Sequence, residues 1–286
     1  MRFALSLNQI RTVLEDLYTR YNHPAFISPD PLQFLYRYDD PSDREVVGLI
    51  CATLAYGRVA QIVKNIEKLL YRLGPSPTAM LCSAHDTCLQ RLVSGIRHRF
   101  TGEREILALL CAIRDVVRYY GSLHRCFCTC LQAGERNVMP AIDRFVQLLG
   151  ASYQELTRFT LPRPKSGSAC KRINLFLRWM VRKDAVDLGD WHGVQPSFLI
   201  VPLDTHMFRI AHALRFTRRA QPDLGAALEI TECFTKICPE DPVRYDFVLT
   251  RFGIREDFAG QECDWLFAPP IGTSSKMPRP QAADRR

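Results

Sequence analysis

Two side chains in this sequence have the type and setting for covalent chemistry. Lys171, in Gly167-Ser168-Ala169-Cys170-Lys171-Arg172, stands just inside a helix expected after a proline-rich turn. Asp204, thirty-three residues later, closes an apolar, proline-locked approach, Phe198-Leu199-Ile200-Val201-Pro202-Leu203, at the mouth of another expected helix. A lysine amine is a nucleophile only when neutral, and neighbouring Arg172 together with partial burial favours that form. A carboxylate held beside the attacked carbon stabilises positive charge developing there and can manage the lysine proton. Each residue taken singly has a plainer reading. A lysine at a helix start is ordinarily solvated surface, and Asp204 before Thr205 can be an N-cap worth about 1 kcal/mol to its helix.

The elements that must position this pair read as helices. Apolar residues recur at helical spacing from Leu7, Ile10, Val13, Leu14, Leu17 and Tyr21 onward, and sustained two-residue alternation is absent. The fold class expected is all-α, with about ten to twelve helices. Ser42 with Glu45 and Ser152 with Glu155 have capping-box spacing, and Asp241-Pro242 places a proline at a first helical position. Breaks fall at Gly74-Pro75-Ser76-Pro77, at Leu161 to Gly167, and across Asp184 to Pro196, the last separating the lysine helix from the aspartate helix. Residues 268–286, rich in proline and serine without helical period, read as a disordered tail. Phe176, Trp179 and Met180 lie at core spacing, Tyr119-Tyr120 before Gly121 marks a helix end, and Asp246 on an apolar helix calls for a basic partner.

Composition bounds the partners. The formal net charge is +8, and from Arg163 to Lys183 seven basic residues (Arg163, Lys165, Lys171, Arg172, Arg178, Arg182, Lys183) occur with no acidic one. Such a run is the footprint a phosphate backbone would want. The eleven cysteines show no metal-binding spacing: Cys126, Cys128 and Cys130 alternate, which on a helix spreads thiols around the axis. Most are expected to be reduced, buried small hydrophobes. No apolar run reaches the eighteen or so residues of a membrane span, and a cytoplasmic protein is expected.

Beyond composition, Val201-Pro202-Leu203-Asp204-Thr205-His206-Met207 resembles the Val-Pro-Val-Asp-x-His-Met approach to the catalytic aspartate of the helix-hairpin-helix DNA glycosylases. Lys171 falls where bifunctional members carry their Schiff-base lysine, and the long lysine-to-aspartate spacing is most similar to the archaeal oxidised-guanine glycosylases. The whole chain also resembles a bacterial family of unassigned function, through Gly167-Ser168-x-Cys170-Lys171-Arg172 continuing to Arg182, Pro202-Leu203-Asp204-Thr205-His206, and Tyr245-Asp246-Phe247 continuing to Ile254. Two departures stand out. The usual Leu-Pro-Gly-Val-Gly hairpin is replaced by Leu161-Pro162-Arg163-Pro164-Lys165-Ser166-Gly167, and there is no C-terminal cysteine cluster of the iron-sulfur branch.

The resemblance implies one bilobal helical unit over 1–267, with lobe A formed by 1–40 and 185–267, lobe B by 41–184, and Lys171 and Asp204 facing each other across the cleft. It implies a monomeric glycosylase with AP-lyase activity on a damaged purine, oxidised guanine foremost, in double-stranded DNA, with no metal or cofactor. DNA contacts would come from Lys165, Ser166, Gly167, Ser168 and Arg172 around the start of the lysine helix, where free N–H groups suit a phosphate, and from His206, which has the plainer reading of a cap neighbour. Tyr56, Arg58 or Gln61, after an early apolar helix, would fill the gap left by a flipped base, although a helix end closed by Gly57 explains the same residues. Trp191-His192 would line a base pocket. A non-catalytic helical DNA-binding protein is the competing reading, and a protein-interaction scaffold the third.

Overall fold

The second helix of the chain is buried on every side: each residue from Glu45 to Leu54 is inside the protein. A helix apolar all round belongs in the centre of a core, and the remaining helices are arranged about this one. The structure, a computed structural model, describes residues 6–156 and 159–254. In chain order its helices are α1 (Leu7–Tyr21), α2 (Pro41–Leu54), α3 (Val59–Leu73), α4 (Pro77–Ser83), α5 (Asp86–Val93), α6 (Glu103–Tyr120), α7 (Leu123–Cys130), α8 (Met139–Gly150), α9 (Lys171–Val181), α10 (Thr205–Ala213), α11 (Leu224–Ile237) and α12 (Asp246–Ile254). Among the described residues β-pairing is limited to three isolated bridges, so the fold is all-α as the periodicity predicts. Among the described residues no helix is long and apolar enough to cross a membrane. The expected tail at 268–286 and Cys263 lie outside the described residues.

Helix α2 packs chiefly on α9 and on the 3-10 segment Pro31–Arg37. The α2–α9 approach depends on Gly48, where an added Cβ would stand 3.2 Å from the Phe176 ring. Phe176, Trp179 and Met180 are fully buried, as their spacing predicts. Helices α4 to α8 pack among themselves around α6, while α1 packs on α11 and α12, and α10 on α12.

Five helix starts carry a side-chain oxygen acceptor, though not always the expected one. Ser6 and Gln9 form a reciprocal capping box on α1, and Asp40, Ser122, Asp204 and Asp223 cap α2, α7, α10 and α11. The expected box of Ser42 with Glu45 is overturned: Pro41 sets the start two residues earlier, Asp40 accepts from the Ser42 N–H, and Glu45 faces inward. The Ser152–Glu155 pattern also fails, since only a 3-10 turn, Gln154–Leu156, forms there. Pro242 does not begin a helix either. Residues 242–245 are turns and α12 starts at Asp246, because the Asp241 carboxylate is drawn onto the guanidinium of Arg182, 2.8 Å away. Helix α6 ends at Tyr120 with Gly121 in the left-handed conformation, as expected.

Two buried ionic assemblies fasten the C-terminal helices. Arg178 of α9 is held by Asp187 and by Asp246 of α12, all three essentially solvent-free. Arg182 is held by Asp184, Asp187 and Asp241, and Tyr18 of α1 donates to Asp184 at 2.9 Å. Separately, Arg251 of α12 pairs with Asp30 at 2.5 Å and donates to the carbonyls of Phe26 and Ile27. Burial pushes the Asp30 carboxyl up, but Arg251 and Arg178 outweigh it and hold the group below the usual carboxylate range. Breaking such a pair leaves an uncompensated charge in the core. Asp30→Ala is therefore expected to cost about 3–5 kcal/mol, read from urea unfolding, whereas the paired change Asp30→Leu with Arg251→Met is expected to cost far less.

Candidate active site

Lys171 is the first residue of α9. Cys170 before it adopts a left-handed conformation (φ 48°) and supplies no side-chain cap. Ser168 accepts from the Cys170 N–H at 3.1 Å, and Ser166 donates its hydroxyl to the Arg163 carbonyl. The turn that replaces the glycine hairpin is a 3-10 segment, Pro164–Ser166, closed by left-handed Gly167 (φ 80°). It is tied on one side to α8 through Arg163 and Asp143, and on the other to the start of α11, where Leu224 donates to the Gly167 carbonyl. Lys165 remains largely exposed, with its ammonium 3.4 Å from Asp143.

The half-buried Lys171 side chain runs back to α2, where Nζ donates to the Ala55 carbonyl at 3.0 Å. No carboxylate among the described residues pairs with it. Arg172, expected to act on Lys171 through its charge, turns toward α2 and the segment before the hairpin. Its guanidinium lies over the rings of Tyr56 and Phe159, at 5.1 and 4.9 Å from their centroids, and donates to the carbonyls of Thr53 and Phe159. Burial lowers it to about 10, with Tyr56 and Cys170 opposing, which leaves it charged at neutral pH.

Asp204 caps α10 through one oxygen only. Oδ1 accepts from the N–H groups of both His206 and Met207 at 2.9 Å, and Oδ2 makes no hydrogen bond among the described residues. No ion pair or hydrogen bond joins Asp204 to Lys171. Asp204 acts instead on Asp246, whose second oxygen is buried without a partner. Burial pushes the Asp246 carboxyl up to about 6, Arg178 opposes this, and the Asp204 charge adds to the rise. His206 Nδ1 lies 2.9 Å from the Arg209 guanidinium.

Two expectations about partners of the site are corrected. The basic run does not form a cationic face, because Arg178 and Arg182 are buried among aspartates and Arg163 is paired with Asp143. Only Lys165 and Lys183 of the seven are exposed. Trp191 does not line an open pocket: it is 4% exposed, stacked on His124 and packed on Phe127 and Phe176, with its N–H on Glu45 at 3.1 Å. Glu45 also accepts from Leu123 and His124, and so caps α7 from α2, with burial raising its carboxyl above the usual range against those donors. His192, beside Trp191, is exposed and offers its carbonyl to His124. The ten described cysteines are all free, five of them buried, and no described cluster of His, Cys, Asp or Glu has the arrangement of a metal site.

Of the early-helix residues, Arg58 and Gln61 are exposed at the start of α3. Tyr56 is half-buried and anchored, donating its hydroxyl toward the His98 carbonyl and Thr101 Oγ1. It braces a tight turn, residues 98–101, whose tip Phe100 is 71% exposed and packs edge-on against Phe159. Sequence reading missed Phe100 and Phe159. The signal for Phe100 lay in Arg97-His98-Arg99-Phe100-Thr101-Gly102, an aromatic set among basic residues beside a glycine.

The chain belongs to the family described as protein of unknown function DUF2400, whose profile matches residues 30–255. No curated protein and no solved structure matches it.

The Asp246 carboxyl gives a pH signature. Its folded value, about 6, lies above an unfolded value near 3.9, so its contribution to stability is present below the unfolded value and is lost as pH rises through about 6. Over the window from about 4 to 6, wild type should lose this contribution while Asp246→Asn should not, measured as the difference between their urea midpoints across pH.

Proposed function

Starting from membership in a family without an assigned activity, we propose that this chain is a base-excision DNA glycosylase with AP-lyase activity on a damaged purine, foremost 8-oxoguanine, in double-stranded DNA. The observation that carries the reading is the state of Lys171. It is a half-buried amine at the uncapped start of a helix, resting on a backbone carbonyl and paired with no described carboxylate. The free Oδ2 of Asp204, on a carboxylate oriented by its own helix, supports the same reading, as does the resemblance of both motifs to the helix-hairpin-helix glycosylases.

In this scheme the target nucleotide leaves the stack at a cost of a few kcal/mol, smallest for damaged bases. Once deprotonated, the Lys171 amine attacks C1′ of the deoxyribose as the glycosidic bond breaks, and the electron pair of that bond leaves with the base, which takes up a proton. Asp204 stabilises the positive charge on the sugar in the transition state. Loss of the amine proton and opening of the sugar give a Schiff base between Nζ and C1′. Removal of a C2′ proton then expels the 3′ phosphate by β-elimination, and hydrolysis frees the lysine. The α9 start, with no side-chain cap, suits a strand phosphate. The scheme needs a soluble, cytoplasmic, nucleoid-associated monomer and no cofactor.

A non-catalytic DNA-binding role is favoured by one observation, that no hydrogen bond or ion pair joins Lys171 to Asp204, each being held by backbone groups instead. Borohydride trapping separates the two. Wild type is expected to form a covalent adduct with duplexes containing an abasic site or 8-oxoguanine, and Lys171→Gln is expected to abolish it while retaining most DNA affinity. Asp204→Asn should cut the rate by at least about a hundredfold, in the range of a lost electrostatic stabiliser. Absence of adduct from wild type on both duplexes, with DNA binding intact, would favour the non-catalytic protein.

A further inference from the structure

Free cations also lie outside the sequence run. Helix α3 carries Lys64 and Lys68 on one face, with Arg58 at its N-cap, and the segment leading into the 98–101 turn adds Arg97 and Arg99. None of the five forms an ion pair with a described carboxylate: Lys68 donates to the Gly95 carbonyl and Arg97 faces the Arg99 carbonyl. The acid on this face, Glu67, is taken by Arg37, and Glu103 nearby accepts from the Gly95 N–H. Between α3 and residues 95–97 is an open cavity of about 610 Å³, lined by Gln61, Lys64, Lys68, Tyr71 and Arg97 among others.

Large aromatics stand exposed on the same face. Tyr71 at the cavity is 87% exposed, Phe100 71% and Phe159 44%. The Phe100 turn is rigid. His98, fully buried, accepts at Nδ1 from the Asn65 amide and donates from Nε2 to the Tyr56 carbonyl, a neutral tautomer fixed by these partners, and Tyr56 holds both ends of the turn. From Phe100 the contacts run through Phe159 to Arg172, the neighbour of Lys171.

We propose that this face binds an unpaired strand of DNA, its phosphates following Lys64, Lys68, Arg97 and Arg99 and its bases stacking on Tyr71 and Phe100. Free cations alone would serve any duplex. Exposed aromatics interleaved with them serve bases whose π-faces are open, the pattern of single-strand binding surfaces. This inference rests on the reading of the chain as a DNA-acting protein and adds a strand preference to it.

The test is fluorescence anisotropy of the full chain with labelled oligo(dT) and with a duplex of equal length, over a series of salt concentrations. Wild type should bind oligo(dT) more tightly than the duplex. Phe100→Ala should weaken oligo(dT) binding by about tenfold and leave duplex binding unchanged. Lys64→Ala with Lys68→Ala should flatten the logarithmic salt dependence for oligo(dT) by about 1.4, or about 0.7 per lost cation. All three positions lie on the surface, so unchanged thermal unfolding certifies the variants. Equal affinity for the two DNAs, or oligo(dT) affinity indifferent to Phe100→Ala, overturns the proposal. Negative borohydride trapping with these binding effects present would retire the lyase reading and keep this one, and positive trapping with the effects absent would do the reverse.

Discussion

The buried pairing of Arg178 and Arg182 with four aspartates is the constraint on which the candidate site depends. Both arginines lie on α9, the helix that begins with Lys171, and their partners come from the loop after it, from the turn before α12 and from α12 itself. Charges placed in a core are expensive unless fully matched. Here two guanidiniums face Asp184, Asp187, Asp241 and Asp246, an excess of carboxylate relieved by the tendency of the Asp246 carboxyl to hold a proton. A network of this kind tolerates few alternative arrangements, which suits a helix whose first residue has to sit in one place.

The same network links the two candidate reactive residues without their touching. Asp246 bonds Arg178 on α9 and senses the charge of Asp204 at the start of α10, and α10 packs on α12. On the other side Lys171 rests on Ala55 and Arg172 on Tyr56 and Phe159. The end of α2 and the start of α9 thus form one unit with the aromatic turn at Phe100.

What was legible in the sequence was local. The proline-rich turn put Lys171 at a helix start, and Asp204-Thr205 announced an N-cap, because both signals act within a few residues of the groups they govern. The fate of the basic run was not legible. A string of arginines reads alike whether it faces water or core, and Arg178 meets Asp246 sixty-eight residues further along the chain. Glu45 shows a local rule losing to a competing one: Asp40-Pro41 supplies a cap two residues earlier, which frees Glu45 to cap a helix seventy-eight residues away. Asp241-Pro242 carries the same dipeptide and starts no helix, since Arg182 claims the aspartate. Phe100 was missed because exposure is a property of the folded surface.

Gly48 brings α2 against α9 with no side chain between the backbone and the Phe176 ring. Interiors packed this closely transmit displacement and do not absorb it. With α9 also locked to α12 by charge, and α10 packed on α12, the helix starts that carry Lys171 and Asp204 belong to one packed framework. On the proposed DNA-acting reading, the deformation that brings reacting atoms into line then falls to the DNA and not to the protein.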